Sequence, residues 1–236
     1  SRVGTGNVAG VAVAISTGGP GAVFWMWLLA IIGGATSFVE STLAQLYKVK
    51  DRDSYRGGPA YYITRGLGEK FRWLAVLFAL AITVTYGFVF NAVQSTSITA
   101  AVAESTGRDS TGVKTVIGLL LAAATGVIIF GGVQRISKFT QVIVPVMAVA
   151  YIALGLIVLA INWREVPGML ALIVEHALGI REIAGAAVGT AIMQGVRRGL
   201  FSNEAGMGST PNAAATSSVS HPCKQGLIQT LGVYFD

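Results

Sequence analysis

Between Gly4-Thr5-Gly6-Asn7 and Gly18-Gly19-Pro20-Gly21 lies a single short apolar segment, Val8 to Ser16 with its flanks. At roughly 1.5 Å per helical residue it covers about half of a ~30 Å hydrocarbon core. The segment that follows, 21–47, is long enough to cross that core alone. A half-length helix opened by Gly-x-Gly-Asn and leading into a full span puts non-helical backbone at mid-depth. Such backbone is tolerated only where protein buries it or where it lines a cavity, the arrangement that holds small solutes and ions.

The rest of the chain supports a membrane setting. It is 53 % hydrophobic and 12 % charged, with a mean hydropathy of +0.65, whereas a soluble domain carries about 25 % charged residues. Further spans are expected at 73–103, 112–133 and 139–161, with kinks near Gly87 and at Pro145. A short segment, 183–196, precedes a polar, glycine-rich run at 197–209 and a small-residue run to 218, and a further span starts at 225–236. Residues 59–67 read as an interfacial helix and 169–178 as a surface helix. The fold class is all-α, a polytopic transmembrane bundle. The sequence begins without Met inside one membrane segment and stops inside another, so a fragment is expected.

The net charge of +6 is a matter of topology rather than of nucleic-acid binding. Lys48, Lys50, Arg52, Arg56, Arg65, Lys70 and Arg72 share one loop, Arg135 and Lys138 another, and Arg197, Arg198 and Lys224 a third. Loops 48–72, 134–138 and 197–224 are therefore expected on the cytoplasmic side. Corresponding points in the two short segments are five membrane helices apart, an odd number, so a second copy of the first half would run inverted.

Four motifs, in order along the chain, carry a family resemblance. They are Gly4-Thr5-Gly6-Asn7-Val8-Ala9-Gly10-Val11, the run Gly18 to Leu28, Gly57-Gly58-Pro59-Ala60-Tyr61-Tyr62, and the run Arg198 to Ser209. The chain thereby resembles the alanine/glycine:cation symporters, the sodium:alanine symporter family, with departures at Thr210-Pro211-Asn212 and Met193-Gln194. The resemblance implies a leucine-transporter-like fold with discontinuous helices. Residues 1–161 would form the first inverted repeat, with its broken helix at 1–17, and 162–236 the start of the second, with its broken helix at 183–218. It also implies a secondary symporter of the cell membrane that imports alanine or glycine with Na⁺ by alternating access. No resident cofactor is expected, since Na⁺ is cargo, nor is an enzymatic site. A related carrier for another solute, and a channel or non-transporting subunit, are the competing readings.

The site residues follow from what a zwitterion and a cation need. Backbone N–H groups near Thr5 and Gly6 suit a carboxylate, while the Val3 carbonyl and the Asn7 amide oxygen suit a cation. Asn91 and Gln94 share a helix face and should turn inward, either bonding between helices or touching the solute; the resemblance favours Gln94 for contact. Gly189 and Thr190 could contribute from the second short helix, or the glycines there could serve packing. Glu40 is a coupling candidate, a partner for the unwound part of the second broken helix, or a partner of Arg2. Glu204 is expected to pair with Arg197 or Arg198, as a cytoplasmic gate or as a structural clamp.

Overall fold

The computed structural model describes residues 4, 6–51, 54–107, 110–180 and 185–235. Their elements are nearly all helical. A π-helical turn, Gly6–Gly10, runs into α1 (Val11–Gly18), and α2 follows at Gly21–Leu46. A two-stranded antiparallel hairpin, β1 (Val49–Asp51) and β2 (Ser54–Arg56), leads to α3 (Pro59–Leu67) and a 3₁₀ turn, Glu69–Phe71. Then come α4 (Arg72–Val84), a π stretch at Thr85–Phe90, and α5 (Asn91–Thr106). The chain continues through α6 (Thr111–Ile129), α7 (Gly132–Ile161), α8 (Val166–Ala177), α9 (Gly185–Asn203), α10 (Ser209–Ala215) and α11 (Pro222–Phe235).

Among the described residues four helical stretches are long and apolar enough to cross a membrane: Gly21–Leu46, Glu69–Thr106, Thr111–Ile129 and one ending at Ile161. Their surroundings invert the pattern of a soluble protein. The buried positions are mostly Ala, Gly and Ser, whereas Leu, Ile and Val side chains face outward. In lipid, apolar side chains gain nothing by turning inward, and small residues let helices approach closely.

The chain divides into two compact units. One comprises 88–169, where α5, α6 and α7 pack as successive neighbours. Ser110 caps α6 by accepting from the Val113 N–H at 3.3 Å. The connection from α6 to α7 is tighter than expected, a turn at Phe130 and Gly131. Residues 134–138, expected as a loop, lie inside α7, because neither Arg135 nor Lys138 breaks a helix. The Arg135 guanidinium instead donates to the Val127 carbonyl at 3.1 Å, satisfying the C-terminal end of α6. The helix passes Pro145 without ending, and the π stretch takes in Gly87, where a kink was expected.

The other unit holds 4–87 and 170–235. Its axis is α2, whose buried residues Gly33, Gly34, Ser37, Glu40, Ser41, Ala44 and Gln45 recur every three or four positions. Against that stripe pack α9, α10 and α11. A Cβ on Gly195 would stand 2.6 Å from the Ala22 carbonyl oxygen, and one on Gly226 2.9 Å from the Phe38 carbonyl oxygen. The α2–α9 and α2–α11 contacts therefore require glycine.

Candidate functional site

The start of the π-helical turn and the end of α9 meet. A Cβ on Gly6 would lie 2.9 Å from Cδ1 of Phe201 and 3.5 Å from the Ser202 Cα. About one turn further on, Gly10 lies beside the stem of Arg198, and further along Gly18 abuts Gln194. The two segments therefore run antiparallel, and the Gly4–Asn7 end sits level with the last residues of α9. Here the amide oxygen of Asn7 accepts from the Gly4 N–H at 3.2 Å, and the Asn7 N–H donates to the Gly4 carbonyl at 3.3 Å. The oxygen assigned to a cation thus already closes this small turn. Val3 and Thr5 lie outside the described residues, as does Arg2.

Directly after Ser202 and Asn203 the helix stops. The polar run beginning at Arg197, expected to break it, is helical up to Asn203, since arginine is a good helix former. The break falls at 204–208, where Glu204 (φ 51°), Gly206 (φ 83°) and Gly208 (φ 83°) all take left-handed backbone. For Glu204 that conformation costs about 1 kcal/mol or more, so the surroundings must enforce it. Gly208 is fixed by crowding, since a Cβ there would meet the Phe78 ring at 2.5 Å and Pro59 at 2.8 Å.

Side chains take up the amides that the break exposes. Asn203 Oδ1 accepts from the Ala205 N–H at 3.0 Å, and Glu40 Oε1, reaching across from α2, accepts from the Gly206 N–H at 2.9 Å. Ser209 donates its hydroxyl to Glu204 Oε2. Tyr86 stands beside the same pair and points its hydroxyl at Met207 Sδ, 4.0 Å away. Of the roles considered for Glu40, the bond to the unwound backbone is present. Glu204 makes no ion pair with Arg197 or Arg198 among the described residues; it is turned toward Ser209 instead. Glu40 is felt outside the spans as well. Burial first, and the Glu40 charge second, push the Tyr62 phenol up to about 12, so it stays protonated at neutral pH.

A second set of contacts, not legible in the sequence, ties α2 to the far end of α10. Gln45 Nε2 donates to the carbonyls of Ala214 and Ser217, and Lys48 Nζ donates to the Ser217 carbonyl at 2.9 Å. Lys48 also lies 4.1 Å above the Tyr55 ring, and burial holds its pKa below the usual lysine value. A polar Gln buried near the end of an apolar helix was the available signal.

Two candidates on α9 itself are not brought to this point. Gly189 and Thr190 lie twelve and eleven residues before Phe201 on one unbroken helix, which sets them ~17 Å or more away along its axis. Nothing approaches a Cβ position on Gly189. Asn91 and Gln94 open α5 in the other unit, Asn91 exposed and Gln94 half-buried.

The sequence as a whole has relatives. The family model described as the sodium:alanine symporter family matches residues 1–236. The probable sodium/glutamine symporter GlnT of Bacillus subtilis (strain 168) is 57 % identical over 236 residues, all of this chain and 48 % of that protein. The amino-acid carrier protein AlsT of the same organism is also 57 % identical, with 50 % of it covered. The sodium/alanine symporter AgcS of Methanococcus maripaludis is 43 % identical over 239 residues, with 52 % of it covered. The chain spans about half the length of the curated relatives it matches.

Proposed function

This chain belongs to the sodium:alanine symporter family, and from that membership we propose that the protein imports a small neutral amino acid, alanine or glycine, together with Na⁺. It is a multi-pass membrane protein whose named relatives are carriers and symporters rather than enzymes. The observation that carries the reading is the meeting of Gly6 with Phe201 and Ser202, immediately before the break at 204–208. The π-helical turn at Gly6–Gly10 thus lies against the last residues of α9, next to the break that follows them.

In this reading the solute carboxylate sits on the backbone N–H groups around Thr5 and Gly6, where a helix start favours an anion. The cation takes carbonyl oxygens of the same stretch, including Val3, with Asn7 shaping the turn. Glu40 and Glu204 act on the shape of the second break, so they tune access rather than ligate the solute. Loops 48–72 and 197–224, and the α6–α7 turn with Arg135 and Lys138, face the cytoplasm. The two inverted repeats, in a leucine-transporter-like arrangement, would alternate access by rocking around the site. Coupling follows if amino acid and Na⁺ each stabilise the occluded form, which makes their affinities reciprocal.

A second reading of the solute rests on the relative named a probable sodium/glutamine symporter, 57 % identical to this chain. One experiment separates the two. Full-length protein in proteoliposomes takes up labelled alanine on an imposed Na⁺ gradient, and glycine competes more strongly than glutamine. Stronger competition by glutamine establishes the second reading. Uptake that ignores the Na⁺ gradient removes both.

A further inference from the structure

Where α3 gives way to the Glu69–Thr106 stretch, Ala60, Tyr61, Thr64, Arg65, Glu69 and Arg72 line an open groove of about 370 Å³. The sequence builds it directly. Pro59 starts α3, Gly68 (φ 97°) ends it, and the 3₁₀ turn redirects the chain into α4, against which α3 packs. Arg65, in the last turn of α3, and Arg72, the first residue of α4, thereby face one space. The groove lies at the polar end of a stretch long and apolar enough to cross the bilayer, which is the level of lipid headgroups.

The surface changes character across that level. Arg65, Lys70 and Arg72 are exposed above it, with Glu69 the acidic residue among them. The Arg72–Glu69 pair is 3.9 Å apart with both side chains about three-quarters exposed, so water screens it and the cationic excess persists. The Thr64 hydroxyl is turned onto the Ala60 carbonyl of its own helix. Below, Trp73 (64 % exposed) begins an apolar strip that continues through Val76, Leu77 and Leu80 on α4. A cationic groove directly above an outward apolar strip matches one molecule end to end, a phosphodiester headgroup with its acyl chains.

We propose that this groove is a binding site for an anionic glycerophospholipid, its phosphodiester held by Arg65 and Arg72 and its chains laid along Trp73 and α4. Guanidinium groups suit this role because their planar donors pair two at a time with phosphate oxygens. A net negative headgroup is favoured because two arginines line the groove against one carboxylate.

Native mass spectrometry of the full-length protein tests the assignment, with phosphatidylglycerol, phosphatidylethanolamine and phosphatidylcholine added at matched concentrations. Phosphatidylglycerol adducts are expected to predominate. Arg65→Gln and Arg72→Gln each weaken them by about fivefold, the effect of one basic residue at an anionic surface. The Arg65→Lys/Arg72→Lys variant keeps most of the preference, and Glu69→Gln preserves or strengthens it. Both arginines are exposed, so unfolding midpoints in lipid-free detergent should stay at the wild-type value, which separates lost binding from lost folding. Equal adducts for all three lipids, or glutamine variants that bind phosphatidylglycerol as the wild type does, overturn the proposal. A preference for phosphatidylethanolamine that Glu69→Gln abolishes also overturns it, by making the zwitterion the ligand.

Discussion

Replacing Glu40 by alanine should release the turn that follows α9. Glu40 is 7 % exposed, and its Oε1 stands 2.9 Å from the Gly206 nitrogen, on a segment where the backbone has left the helix. A hydrogen bond to a charged group contributes about 1.5–3 kcal/mol, and its loss leaves a partly buried amide to find another acceptor. A local cost of about 2–3 kcal/mol follows, equivalent to a roughly 30- to 150-fold shift toward the opened turn. Glutamine keeps a carbonyl oxygen at nearly the same place and forfeits only the charge, about 1 kcal/mol, or roughly fivefold. Hydrogen exchange of the Gly206 amide in the full-length protein reads this directly. Exchange should accelerate by those factors in Glu40→Ala and in Glu40→Gln respectively. If alanine leaves the rate unchanged, the bond contributes nothing. If glutamine accelerates it as much as alanine does, the charge matters and the acceptor does not, and the positioning role is wrong.

Gln45→Leu removes the donor that holds the Ala214 and Ser217 carbonyls; the unfolding free energy in detergent should fall by about 1–3 kcal/mol, and an unchanged midpoint would contradict it. Gly195→Ala places a methyl 2.6 Å from a backbone oxygen of α2, so the helices must part, at a cost of about 1–3 kcal/mol, read by the same melt. Tyr62 titrates near 12 in the folded protein against 10.0 ordinarily. The unfolded chain therefore releases this proton first, and the contribution of Tyr62 to stability declines between pH 10 and 12. Tyr62→Phe should lose less stability than wild type across that interval, and parallel curves would refute the assignment.

The sequence was most legible where a stereochemical stop stands at each end of an element. The interfacial helix at 59–67 has Pro at its first position and Gly just past its last, and the structure places α3 at those residues. Polar composition was a poorer guide. Arg197 and Arg198 suggested the end of a helix and Arg135 and Lys138 a loop, yet all four are helical, because charge at a membrane boundary does not oppose the helix itself. The break after Asn203 instead needs two glycines and a strained glutamate, together with partners from elsewhere in the chain. Glu40 and Gly206 are 166 positions apart, and no local pattern announces such a pair, although an acidic residue within an apolar span invites the search. The β1–β2 hairpin went unread because three-residue strands offer too little alternation, while its Arg56–Asp51 ion pair at 2.6 Å joins two residues of ordinary loop character.

The stretch around Gly6, pressed against the end of α9, is the proposed place where amino acid and Na⁺ bind. The direct measurement is equilibrium binding of labelled alanine to purified full-length protein, in Na⁺ and in K⁺, for the wild type and for Gly6→Leu. A leucine side chain would have to occupy the space now shared with the Phe201 ring, 2.9 Å from its Cβ. Binding that requires Na⁺ in the wild type and vanishes in a monodisperse, normally inserted Gly6→Leu protein is the predicted result. Undiminished Na⁺-dependent binding by that variant would place the amino-acid and Na⁺ site elsewhere.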